Sequence, residues 1–501
     1  MRNTSAPAVA RTGDLFGHPR GLATLFFTEA WERFSYYGMK AILLYYMYDR
    51  VSEGGLGIPS DTARSLVAVY GASIYLAAIG GGWLSDRILG AGRSTLYGGV
   101  LIMCGHICLA LPAGATALYL SMLFIVVGTG LLKPSISISV GHLYPPQDIR
   151  RDSGFTIYYT GISVGALVAP LTVGTLGENY DYHLGFGLAA VGMAIGLLVY
   201  VRGQRHLSEE SKRPNNPLRR EDISGPRAAL VLAVVAAVGL LLTTAVLTGS
   251  FTADLVVNII SVLAIALPVA YFTVMLRSPR TTPVERSRVV SYIPLFLGAM
   301  CFWVIQEQGA VVLAQYAQES TDLSALGFDI PASWFQSVGS LVLIVIAPLF
   351  ALLWLRLGRG ARQPSTPAKF GIGLLIAGLS YAMLVVPTLD DGKTNPLWLV
   401  GSFALVTVGE ICLSPIGMSA TTRLAPAAFA TQTMGLWLAS SAAGQGISAQ
   451  IVRYYDRASA PVYFGIIGLV AVALGMLLIG VAPLIRKQMK GADVGQIPER
   501  R

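Results

Sequence analysis

Seven ionisable side chains interrupt segments that are otherwise apolar: Glu29, Glu32, Arg33 and Lys40 in 26-FFTEAWERFSYYGMKAILLYYMY-48, Lys133 in 128-GTGLLKPSISIS-139, Glu307 in 302-FWVIQEQG-309 and Glu410 in 409-GEICLSP-415. A charge at the centre of a membrane helix costs about 2.5 to 3.5 kcal/mol, so seven isolated ones would cost roughly 20 kcal/mol. They must therefore face one another, or water. As a helix, the first segment puts Glu29, Arg33 and Lys40 at i, i+4 and i+11, with Glu32, Tyr36 and Tyr37 alongside and Phe26, Phe34 and Leu44 elsewhere. One reading of such a stripe is buried ion pairs that fix helix register. The other is an ion or cargo pathway, the usual role of intramembrane charge. Four acids against three bases leave one negative charge uncompensated unless a proton binds. A chamber that is neutral only when protonated, and then admits a zwitterion, could link proton entry to cargo entry.

Such groups need elements that carry them through a bilayer. Of 501 residues, 54% are hydrophobic and 13% charged, and the mean hydropathy is +0.61, whereas soluble domains carry about 25% charged residues. Apolar runs fall near 21–48, 65–84, 95–113, 117–141, 154–174, 184–201, 228–249, 255–276, 289–316, 332–355, 369–388, 397–422, 430–452 and 461–484. Each can cross a hydrocarbon layer of about 30 Å, so the expected fold is an all-α polytopic membrane protein with fourteen transmembrane helices. The net charge of +9 sits in short loops and forms no continuous basic face, which argues against nucleic acid. The tails and alternate loops hold 28 Lys and Arg, and the opposite loops hold only Arg50, Arg64, Lys393, Arg453 and Arg457. The positive-inside rule then puts both termini in the cytoplasm. The first twenty residues lack the apolar core of a cleaved signal peptide, so the first helix is expected to direct insertion. Cys104, Cys108, Cys301 and Cys412 lie in apolar segments without CxxC spacing, which argues against a disulfide framework or a metal site.

The longest polar stretch, 202-RGQRHLSEESKRPNNPLRREDISGPR-227, reads as a linker. The predicted organisation is a six-helix bundle at 1–201, this cytoplasmic linker at 202–227, an inserted helix pair at 228–276, a second linker at 277–288, another six-helix bundle at 289–486 and a cytoplasmic tail at 487–501. The two bundles echo each other: Gly128 stands six residues before Pro134 in the fourth helix, and Gly409 six before Pro415 in its counterpart. His106 and His142 lie in apolar surroundings and read as core or interfacial histidines, which leaves proton handling to carboxylates. No apolar segment carries HExxH, GxSxG or an aspartate dyad, so an intramembrane enzyme is not expected.

At these residues the chain resembles the proton-dependent oligopeptide transporter family of the major facilitator superfamily, and its bacterial members in particular. The family's first-helix ExxER motif is matched by 29-EAWERFSYYG-38, and the superfamily's cytoplasmic-loop motif by 80-GGGWLSDRILGAGR-93. Further matches are 128-GTGLLKPSIS-137, 154-GFTIYYTGISVGA-166, 302-FWVIQEQG-309, 331-PASWFQS-337 and 409-GEICLSPIG-417, so the resemblance covers nearly the whole chain. It implies two six-helix bundles plus an extra pair of helices, and proton-coupled import of di- and tripeptides by alternating access, driven by the proton gradient without a cofactor. It also implies that Glu29, Glu32, Arg33, Lys133 and Glu307 serve proton coupling, with Lys133 interacting with Glu307. Arg33, Lys40 and Lys133 would then take the peptide carboxylate and Glu410 its amino terminus. Tyr36, Tyr37, Tyr75, Trp303, Trp334 and Trp437 would line side-chain pockets, and Asp86 and Arg87 would form a conformational latch. The expected partners are small peptides, protons and lipid, not nucleic acid, for a monomer in a bacterial inner membrane.

Two positions depart from the family pattern. Ser163 stands where an Asn is usual, and Gly339-Ser340 where Asn-Pro is common. Both family asparagines contact peptide backbone or terminus, so these departures bear on which cargo is carried. A proton-coupled carrier of another small solute (nitrate, a drug or a modified peptide) is the first alternative, and a receptor that does not transport is the second.

Overall fold

Lipid offers the backbone no donors or acceptors, so a segment inside it must satisfy its own peptide groups, and a helix does this alone. The computed structural model describes residues 14–15, 17–144, 150–214, 217, 252–324, 329–359, 364–390 and 392–490. A two-residue pair of strands, Asp14–Leu15 and His18–Pro19, precedes the helices. These are α1 (Arg20–Tyr48), α2 (Ser60–Leu84), α3 (Ala91–Ala110), α4 (Gly114–His142), α5 (Arg151–Ala169), α6 (Tyr182–Gly203), α7 (Ala253–Arg277), α8 (Pro283–Glu307), the short α9 (Val312–Ser320), α10 (Phe335–Arg359), α11 (Thr366–Ala382), α12 (Leu397–Leu424), α13 (Ala430–Ile451) and α14 (Ala460–Gln488). Apart from α9, these thirteen helices lie at thirteen of the fourteen apolar runs. The remaining run, 228–249, lies outside the described residues. Among the described residues, eleven helical spans are long and apolar enough to cross a membrane. The other two long helices are more polar: α1 through its five charged residues, and α13 through its Thr, Ser and Gln residues.

The chain packs as two units. The first comprises the described residues of Met1–Met39, Ala77–Gly177 and Asp181–Phe251, and the second those of Lys40–Leu76, Glu178–Tyr180 and Thr252–Arg501.

In the first unit, a core of Leu22, Leu25, Ile102, Leu132, Ile136 and Tyr200 ties α1, α3, α4 and α6 together. In membranes small residues let helix backbones approach, and α3 and α4 use them. A Cβ added at Gly128 would lie 2.6 Å from the Gly98 carbonyl oxygen. Motif glycines on α5 act likewise against α1: a Cβ at Gly161 would lie 3.0 Å from the Phe26 carbonyl oxygen, and one at Gly165 2.9 Å from the Phe34 nitrogen. This close approach sets the register of α5 on the charged stretch of α1. Asp181 caps α6, its carboxylate accepting from the N–H groups of His183 and Leu184 at 2.8 and 3.2 Å.

The second unit repeats the first unit's contact. Gly409 on α12 meets the Gly373 carbonyl oxygen of α11, again 2.6 Å from an added Cβ. The sequence echo between the fourth helix and its counterpart is thus an echo of packing: Gly128 and Gly409 hold equivalent crossings. Thr282 and Glu285 close a capping box at the start of α8, which leads into 302-FWVIQEQG-309. The helix α7 packs against α13, where Gln450 donates to Asn258 and Ser261 at 3.0 and 3.2 Å.

Candidate functional site

The buried charges fall into two groups, one within each unit. In the first, one face of α1 presents Glu29, Glu32 and Arg33, which are 1%, 0% and 2% exposed. The Arg33 guanidinium grips Glu32 in a fork: Nε donates to Oε2, and an Nη donates to Oε1 at 2.6 Å. The same Nε lies 3.4 Å from Glu29 Oε1. Tyr36 and Tyr37, one turn further along, receive the guanidinium over their rings at 5.0 and 5.8 Å. The glycine-set register of α5 brings Tyr158 beside Glu29, and the half-buried Lys133 of α4 is within electrostatic reach of that carboxylate. Ser163 is half-buried on α5. Asp86 and Arg87 lie on the π-helical turn Ser85–Leu89 that ends α2, both half-buried, and Ser135 of α4 donates to Ser85 on that turn at 3.0 Å.

In the second unit, Glu307, for which the family pattern names Lys133, forms an ion pair with Lys40 at 2.9 Å. Next to it on α8, Gln306 donates its amide to Glu410 Oε2 of α12 at 3.0 Å. Glu307 and Glu410 lie close enough to repel each other. The ledger of formal charge therefore divides unevenly. Glu29, Glu32, Arg33 and Lys133 sum to zero, while Lys40, Glu307 and Glu410 sum to −1, so the surplus acid expected from the sequence belongs to the second group.

The aromatic candidates differ in their surroundings. Trp303 precedes Gln306 by one turn, and its indole N–H is buried with no hydrogen-bond partner among the described residues. Trp334 is half-buried in the turn Ala332–Trp334, whose backbone N–H groups at Ala332 and Ser333 donate to Glu178 at 2.7 and 2.9 Å. Tyr75 is half-buried on α2. Trp437 is 4% exposed, packs edge-on to Phe370 and covers Gly417, so part of its role is filling space between α12 and α13. At Gly339 on α10 a Cβ would lie 3.1 Å from the Thr407 hydroxyl of α12. A side chain there, such as the family's asparagine, would have to displace Thr407.

Three polar residues absent from the sequence expectations matter here. Gln306 carries no charge and so escaped a search for charges, although 302-FWVIQEQG-309 contains it. Tyr158 stands in 154-GFTIYYTGISVGA-166, where spacing alone gives it no role. Arg64 was counted as a loop cation, yet it is 2% exposed and bonds the carbonyls of Val452 and Tyr455 at 2.9 and 2.8 Å as well as the Gln315 amide.

Comparison with known proteins places this geometry. A family profile described as POT family matches residues 93–482. The chain is 49% identical over 479 residues to the uncharacterized transporter YclF of Bacillus subtilis, with 95% of this chain and 96% of that protein covered. It is 41% identical over 488 residues to a di-/tripeptide transporter of Lactococcus lactis subsp. cremoris, with 95% and 97% covered. Among solved structures, a peptide transporter POT in complex with sulfate superposes with a TM-score of 0.91 at 51% identity, covering 95% of this chain and 97% of that one.

Proposed function

The chain belongs to the POT family, and from that premise we propose that it imports di- and tripeptides together with protons by alternating access. It is an integral membrane protein of the major facilitator fold, matched over nearly its full length by solved POT transporters. The observation that carries the reading is the coincidence of this likeness with an intact set of buried and half-buried ionisable groups on α1, α4, α8 and α12.

A peptide is a zwitterion, and the two kinds of buried group suit its two ends. Arg33, Lys40 and Lys133 are assigned to the carboxylate, since guanidinium and ammonium groups form the shorter, stronger charge-assisted hydrogen bonds with it. Glu410 is assigned to the ammonium. Gln306 occupies Oε2 of that carboxylate and so fixes its plane. Tyr36, Tyr37, Tyr75, Ser163, Trp303, Trp334 and Trp437 are assigned to the remainder of the cargo, because flat rings with one polar edge accept varied side chains. Proton coupling is assigned to Glu29, Glu32, Arg33, Lys133 and Glu307. The surplus negative charge of the second group makes Glu307 and Glu410 the place where one proton relieves repulsion. Asp86 and Arg87 are assigned to gating.

A second reading, another small solute as cargo, is favoured by Gly339, which offers no side-chain donor and has Thr407 close against it. Both readings are tested with purified protein in liposomes, using labelled dialanine and an inward proton gradient. Accumulation above equilibrium that collapses with the gradient supports peptide symport. Uptake indifferent to the gradient removes the coupling, and gradient-driven uptake of another solute that dialanine does not compete for removes the peptide.

A further inference from the structure

A cavity of about 590 Å³ opens between the first turn of α11 and the last turns of α14. We propose that it seats the phosphodiester headgroup of an anionic phospholipid, held by Arg486 and Lys487. Its volume falls within the range of about 300 to 1,000 Å³ typical of ligand sites. Its lining has two characters. Ser365, Arg486 and Lys487 form a polar, cationic part, and Ala368, Ile479 and Pro483 an apolar part. No acidic residue lines it.

That division selects the ligand. A free phosphate uses only the cationic part and gains nothing from the apolar wall. A phospholipid uses both, because the wall continues into side chains of α14 that face outward: Met476, Leu477 and Leu484 are 54%, 58% and 67% exposed. A zwitterionic headgroup brings its own ammonium towards two cations and finds no carboxylate, so net negative charge is preferred.

The helix ends agree with this assignment. α11 begins at the cavity, and its N-cap Ser365 makes no side-chain cap, so the positive pole of that helix faces the ligand. α14 ends there, and its negative pole would oppose an anion, but α8 already covers it. Ser287 donates to the Gln488 carbonyl at 2.8 Å and Arg288 to the Lys490 carbonyl at 3.4 Å. Behind the wall, the buried Lys369 of α11 stands 4.6 Å over the Trp354 ring and adds a further positive charge. The adjoining stretches 356–369 and 484–501 hold four and five Lys and Arg, the signature of a side facing an anionic leaflet.

The test needs no transport. The purified full chain is titrated with phosphatidylglycerol, phosphatidylcholine or inorganic phosphate, and bound species are read by native mass spectrometry. Phosphatidylglycerol is expected to be retained over phosphatidylcholine and to resist excess phosphate. At about fivefold per cation, the double variant Arg486→Gln/Lys487→Gln should bind it roughly thirtyfold more weakly. Ala482→Trp, which fills the lining with both cations intact, should also lose it, while Lys490→Gln, outside the lining, should not. The proposal is overturned if the two lipids bind equally, if phosphate displaces the lipid, or if both lining variants keep wild-type retention. A thermal ramp of both lining variants beside the parent guards against reading a misfolded variant as support.

Discussion

Replacing Glu307 by Gln keeps the shape of the side chain and removes its charge. Lys40 Nζ and Glu307 Oε2 are 2.9 Å apart, with side chains 12% and 14% exposed. At an effective dielectric constant of about 20, unit charges at that separation attract by about 6 kcal/mol. Desolvation of the two ions offsets much of this, so the intact pair adds little net stability, whereas removing one partner costs about 3 to 5 kcal/mol. Glu307→Gln strips the Lys40 ammonium of that carboxylate, and Lys40→Met leaves Glu307 beside Glu410 without that ammonium. The double variant removes both charges, so its loss should not exceed that of either single change, giving a coupling of about 3 kcal/mol. An unfolding entropy of about 2.1 cal/mol/K per residue gives roughly 1 kcal/mol/K for this chain. Each single variant should therefore melt about 3 to 5 °C below the parent, with the double variant no lower. Tryptophan fluorescence of the protein in nanodiscs during a thermal ramp measures all four corners of the cycle. Additive losses, with coupling under about 0.5 kcal/mol, would refute the claim that this pair is a matched buried ion pair.

Gln306→Leu removes the donor to Glu410, a hydrogen bond to a charged group worth about 1.5 to 3 kcal/mol. The KM for labelled dialanine should rise at least about tenfold at unchanged protein yield, and an unmoved KM would detach Gln306 from cargo binding. Gly409→Leu drives a side chain into the Gly373 carbonyl and should abolish the folded protein in membranes, while Gly480→Ala, with open space at its Cβ, should leave yield intact. Size-exclusion profiles of the two compare them directly. Arg64→Met deprives the carbonyls of Val452 and Tyr455 and the Gln315 amide of their donor. With three groups affected at about 1 kcal/mol or more each, the melting temperature should fall by roughly 3 °C or more, and a shift within error would mean that water replaces the guanidinium.

The helices were legible because lipid imposes one solution on long apolar runs, and the run at 369–388 shows how closely: α11 begins at Thr366, with Pro367 in its first turn, and a 3-10 turn carries the helix to Leu389. The ionisable half of the site was legible for the same reason, since a Glu in such a run is costly unless it is paired or faces water. Neutral groups gave no such signal. Gln306 and Tyr158 take their places from neighbours in space, and nothing in the spacing of 302-FWVIQEQG-309 says which of its two glutamines faces Glu410. Gln308 faces elsewhere, accepting from Tyr463 at 2.8 Å. Arg64 was misplaced because it stands five residues into α2, where charge counting alone reads a loop, and its partners lie more than 250 positions away in sequence. Trp437 was read as a pocket aromatic, yet only the glycine opposite it, Gly417, shows how much of its ring is spent on packing.

The paired glycines of α3 with α4 and of α11 with α12 have a mechanical consequence. Backbones in direct contact cannot slide without collision, so each hairpin behaves as a stiff strut. Any bending during a working stroke is thereby pushed beyond these welds, towards Pro134 and Pro415, each six residues past its glycine, where the helix has already lost a peptide hydrogen bond. Tight contact and a missing peptide hydrogen bond thus alternate along the same two helices, and the duplicated order gives both units a proline at the same distance from the same glycine contact.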